Sequence, residues 1–292
     1  MVAVVALVGV LVARLLSADE PFSVVTSATR TVSSGAGTLL IGLGLVTRIG
    51  ATRPGRSVVV VAAVWVPVSL SALLFDVGSR TGTSPFAVSV DRFWSLARAG
   101  TAPAITVMAA VLIAGVGAVM VRHDKTLPGD AVAAVAAAGL LAEPVTGHLS
   151  LIRLGSLLIA VHVLAAAWWS GTLAALVVMN RGRAAWSRTL PQFSRWAPYA
   201  VIGVTVAGVG AAILELPSVP AVWDSAYGRL LMAKSVLLVC LVALGWWYRT
   251  RWTVRVTSHR ITAGVSVRNA GIEIAVMALV FALASGLSMV PP

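Results

Sequence analysis

Apolar runs of about 17 residues or more recur from one end of this chain to the other, each long enough to cross a hydrocarbon core about 30 Å thick. Only 11% of the residues are charged, against about 25% in soluble domains, so a water-facing surface cannot be built. The fold class expected is all-α, a polytopic integral membrane bundle. The sequence has no series of alternating ten-residue strands, which argues against a transmembrane barrel. Nine spans are expected, near 1–17, 31–49, 57–75, 101–121, 131–146, 154–179, 197–216, 228–248 and 269–290. The first lacks a basic leading region and a small-residue cleavage site, and reads as a retained helix. The fifth is Ala-rich and interrupted by Glu143-Pro144, which membrane helices tolerate where neighbours or a cavity satisfy the freed backbone. No internal repeat or linker divides the chain, so residues 1–292 read as one membrane domain.

The net charge of +12 would suggest a nucleic-acid partner in a soluble protein. Its placement gives another answer. Arg48, Arg53, Arg56, Arg122, Lys125, Arg181, Arg183, Arg188, Arg195, Arg249, Arg251, Arg255, Arg260 and Arg268 fall in alternate connections, 14 of the 22 basic residues. The positive-inside rule assigns those connections to the cytoplasm, leaving the N-terminus inside and the C-terminus outside. Attraction to anionic membrane lipids is a by-product, and nucleic-acid binding has no role. The acids Asp19, Glu20, Asp76, Asp91, Glu215 and Asp224 are expected in the opposite connections. Residues 76–100 would form a long outer loop, with Phe86, Phe93 and Trp94 lying along the interface. Cys240 is alone in the sequence, so no internal disulfide forms, and its apolar run suggests a packed small hydrophobe.

Candidate chemistry centres on the stretch from Glu143 to Gly171, which holds two of the four histidines. His148 falls at the outer junction of spans five and six, and His162 lies about 12 Å deeper in span six. A titratable group at membrane depth is costly, which favours a functional reading. A lone intramembrane His can instead bond a neighbouring helix, worth about 0.6 kcal/mol on average. Imidazole suits copper, zinc, iron and nickel, and thioethers select copper(I). Met108, Met232 and Met289 share the outer half with Glu143, so the candidate metal set is His148, His162, Met232, Met289 and Glu143. His162, Trp169 and Leu173 share one helix face. Tyr227 and Arg229 read as interface anchors, with Lys234 snorkelling beside them. Glu273 is expected one turn inside the inner boundary of span nine, as a cation acceptor or paired with Arg268 or Arg249.

The motifs GH at 147–148, HVLAAAWWSG at 162–171, YGRLLMAK at 227–234 and IEIAVMALVFALASGLSMVPP at the end resemble the copper-resistance protein D (CopD) family over about 140–292. Residues 1–139 match only in being multi-spanning. The resemblance implies a bacterial inner-membrane protein handling copper, with a periplasmic copper chaperone as candidate donor. It carries the family's histidine positions onto His148 and His162 and its acidic position onto Glu273. Trp169-Ser170-Gly171 stands where members often have a Gly-Gly pair. A distant similarity to transmembrane cytochromes makes haem b, held between the two histidines, the alternative cofactor. A non-catalytic role in assembling a copper enzyme or envelope complex is the third reading. No nucleophile–base pair, phosphate loop or paired carboxylates point to an enzyme.

Overall fold

In the computed structural model the chain is a bundle of helices, described for residues 2–19, 22–81, 89, 91, 102–146, 152, 154–216, 218, 220–253, 256 and 262–290. The helices are α1 (Val2–Leu16), α2 (Val24–Leu45), α3 (Arg56–Thr81), α4 (Ala102–Arg122) and α5 (Gly129–Val145), followed by α6 (Gly155–Met179), α7 (Arg183–Glu215), the short α8 (Ala221–Asp224), α9 (Ala226–Tyr248) and α10 (Ala263–Leu287). Among the described residues seven are long and apolar enough to cross a membrane: α2 with the turn after it, α3, α4, α6, α7, α9 and α10. The other two expected spans exist as shorter helices, α1 with 15 residues and α5 with 17. The expected outer loop, including Phe86, Phe93 and Trp94, lies outside the described residues.

Helix α2 is the hub. It packs against α1, α3, α5, α6 and α10, and 56% of its apolar window is buried, against 11% for α9. Its composition explains this. Between lipid-solvated helices, association depends on close van der Waals fit rather than on escape from water, so small residues mark the interfaces. Thr26, Ser27, Thr31, Ser33, Gly37, Thr38, Gly42 and Gly44 all turn inward. A methyl group on Gly42 would lie 1.9 Å from the Gly171 carbonyl oxygen, and one on Gly171 would lie 2.1 Å from that of Thr38. Gly44 meets the Gly129 backbone in the same way, while Gly37 accommodates the Trp65 ring. The Trp65 indole N–H donates to Ser33 Oγ at 3.1 Å.

Several helix ends differ from the hydropathy reading, always by extending into polar sequence. α2 starts at Val24, where Ser23 caps it by accepting from the Thr26 N–H at 3.3 Å. α3 runs on through Asp76, which is therefore a buried helix residue rather than a loop acid. Arg30 of α2 bridges Asp76 at 2.7 Å and Glu143 of α5 at 2.6 Å. α7 begins fourteen residues before the apolar run at 197. Its first turns keep arginines outward while Trp186, Leu190 and Phe193 pack inward, with Phe193 stacked on Trp168 at 5.9 Å. α10 begins at Ala263, so Glu273 lies ten residues inside, about 15 Å from the helix start and deeper than one turn. Cys240 is exposed on α9, not packed.

Gly171→Ala is expected to lower the detergent melting temperature sharply, because the added methyl meets backbone that cannot yield; overpacking of yielding cores already costs about 1–3 kcal/mol. Gly115→Ala, facing open space, should be neutral or stabilising by up to about 1 kcal/mol. Arg30→Met leaves the 6%-exposed Asp76 side chain without this cation and should cost about 3 kcal/mol or more. Glu143→Gln, at 41% side-chain exposure, should cost under about 1 kcal/mol. Urea or thermal unfolding in micelles measures all four.

Candidate metal-handling site around His162

The α6–α7 hairpin sets the site. Asn180 and Arg181 lead into Gly182, whose φ of 83° is a left-handed turn that suits glycine. The Asn180 amide donates to Thr189 Oγ1 at 2.9 Å, locking the turn from inside. From there the two helices run back together, and near the other end His162 of α6 reaches α7. Its Nδ1 lies 2.9 Å from the Val204 carbonyl oxygen. A carbonyl can only accept, so Nδ1 carries the proton and Nε2 keeps the lone pair. Nε2 has no partner among the described residues. That is the arrangement of metal-binding imidazoles, which donate through one nitrogen and ligate through the other. Room for the ring comes from Gly208: a methyl there would lie 2.9 Å from Nδ1 and 3.0 Å from Cε1.

Three further polar groups converge on this end. Tyr227, at the start of α9, donates its hydroxyl to Glu215 Oε2 at the end of α7. Lys234 lies seven residues on, on the same face of α9 as Tyr227, and is half-buried. Measured along their helices, His162 and Lys234 both sit about 10–12 Å in from the end that carries Glu215.

The other expected site residues fall elsewhere. Glu143 belongs to the Arg30–Asp76 group and lines a cavity of about 30 Å³ with Ser33, Ser69 and Thr106. Met232 is half-buried two residues before Lys234, about 160° round α9 from it. Met289 is half-buried in the turn after α10. Met108 points outward at 63% exposure. His148 lies outside the described residues. Among the described residues no three His, Cys, Asp or Glu side chains are grouped to hold a metal ion. Toward the arginine-rich end, Glu273 is buried on α10.

Glu215, Tyr227 and Lys234 were legible only as interface residues. The seven-residue spacing of Tyr227 and Lys234 on one helix was the available sign. The Val204 carbonyl and the space over Gly208 carry no sequence signal that a single chain reveals.

Residues 187–287 match the family described as copper resistance protein D. The chain is also similar to the copper transport protein CutJ of Bacillus subtilis (strain 168), 32% identical over 116 residues. That alignment covers 36% of this chain and 21% of CutJ, so the chain matches about a fifth of that relative. No solved structure matches the chain.

Gly208→Ala should push the imidazole off the Val204 carbonyl. Nitrogen-15 NMR of histidine-labelled protein is expected to show one Nδ1–H tautomer for His162 in the native chain and a mixture in the variant.

Proposed function

Taking as premise that residues 187–287 are a copper resistance protein D segment, we propose that this multi-pass membrane protein moves copper into or across a bacterial plasma membrane through His162. The observation that carries the reading is the imidazole itself: Nδ1 is committed to Val204 and Nε2 has no partner among the described residues. Neutral imidazole is a ligand for copper(I), and a hydrogen bond on the second nitrogen raises its basicity. His148, three residues past the end of α5 and seven before α6 begins, is the candidate second imidazole. With the arginine-rich connections in the cytoplasm, the opposite face is periplasmic, and copper enters there, delivered free or by a periplasmic chaperone. Glu273, deeper and beyond Trp169, is the next group a cation would meet on the way inward. The name of CutJ describes copper transport, which agrees with a permease rather than an enzyme. The haem b alternative draws no support from either match.

The test is copper accumulation, by mass spectrometry, in cells expressing native protein or His162→Ala at equal membrane levels. Uptake in the variant should fall at least about tenfold, the scale seen when even supporting groups of a metal site are lost. Equal uptake would remove His162 from the pathway.

A further inference from the structure

Helices α7 and α9 are tied near their two ends. At one end the Tyr227 hydroxyl donates to Glu215 Oε2. At the other, Arg249, just past α9, donates from Nη1 to the Ser194 carbonyl of α7 at 2.9 Å. This second tie has a cause in the sequence. Pro198 has no N–H to return to the carbonyl four residues before it, and the guanidinium supplies a donor from outside the helix. The rings of Trp186 and Trp252 meet at the same junction, 5.9 Å apart. Between the ties, the described residues of α7 and α9 are not packed on one another. Both helices carry exposed apolar side chains along that stretch, Ile202 and Val206 on α7, Val239 and Val242 on α9. A groove open to the bilayer is left between them, with arginines at one end.

That end carries more positive charge than the tie uses. Arg249 gives one nitrogen to the carbonyl and keeps further N–H groups to donate. Arg195 follows Ser194 directly, so both guanidiniums are anchored at one turn of α7, and it lies 6.0 Å from the Trp196 ring centroid. Arg251, two residues after Arg249, is turned back over Trp247 at 4.1 Å. Among the described residues none of these three arginines has a carboxylate within ion-pair distance. Trp196, Tyr199, Trp246 and Trp247 are exposed around them, and such rings settle at headgroup depth. We propose that Arg195 and Arg249 seat the phosphate of one anionic phospholipid, whose acyl chains run in the groove between α7 and α9. Guanidinium forks match phosphate oxygens, and basic pockets between membrane helices hold anionic headgroups in this way. A zwitterionic lipid brings its own ammonium to the same arginines and fits less well. A diffuse pull on acidic lipid would draw on every exposed arginine alike, whereas the seat singles out the pair at the tie.

The experiment is native mass spectrometry of the purified full-length protein in detergent, titrated with phosphatidylglycerol or with phosphatidylcholine of the same acyl chains. Native protein should bind phosphatidylglycerol at least about fivefold more tightly, the scale of one arginine at an acidic headgroup. Arg195→Gln should weaken phosphatidylglycerol binding about fivefold, and Arg195→Gln with Arg249→Gln about 25-fold. Arg251→Gln and Arg53→Gln each remove the same charge from an exposed position and should stay within about twofold of native. Melting temperatures show which variants keep the fold. Arg195 makes no hydrogen bond among the described residues, so its single variant decides the matter if the double variant unfolds. Equal binding of both lipids by native protein overturns the seat. An equal loss in Arg251→Gln overturns it in favour of diffuse charge. Displacement of phosphatidylglycerol by equimolar glycerol phosphate overturns it in favour of an anion site that needs no lipid.

Discussion

Backbone touching backbone at the crossing of α2 and α6 is the constraint on which the bundle rests. Gly42 and Gly171 allow it, and nothing larger fits. Lipid tails are as apolar as leucine, so two helices gain little by merely hiding apolar surface from them. They gain by meeting closely enough for many weak contacts to form. Once α2 is pinned to α6 here and to α5 at Gly44 and Gly129, the remaining helices have a fixed post to pack around. The indole of Trp65 fills the space over Gly37, and α1 docks on α10 through Gly9 and Gly286 by the same principle.

Charge inside this frame is handled in two distinct ways. Arg30 is held between two carboxylates, so the cost of burial is offset by direct pairing. Glu273 and Lys234 make no ion pair among the described residues. The first arrangement holds helices together.

Much of the architecture was legible in the sequence because apolar length is a direct consequence of bilayer thickness. The runs at 101–121, 154–179 and 228–248 agree with α4, α6 and α9 to within two residues at either end. Where hydropathy misplaced an end, polar residues were serving a helix. Thr29 and Thr31 of α2 bond their own backbone, Thr31 to the Ser27 carbonyl at 2.8 Å, and so cost little inside. The arginines of early α7 face outward from a helix whose other side carries Trp186 and Phe193. The Asp76 carboxyl entered the bundle because Arg30 was there to meet it. The site divides in the same way. The position of His162 was legible from its cost alone, whereas its partner is a main-chain oxygen, which no residue type announces. Glu143 looked like a ligand by proximity in sequence, but helix packing delivered it to Arg30 instead.

The imidazole of His162 grips the main chain of α7, not a side chain, at a point where Gly208 offers a flat bed. Such a grip works like a vernier mark between two rods. A slide of α6 along α7 by even one residue would carry the ring off its oxygen and against a side-chain-bearing neighbour, turning the free nitrogen elsewhere. Movement of the hairpin and the direction in which that nitrogen points are therefore a single coordinate.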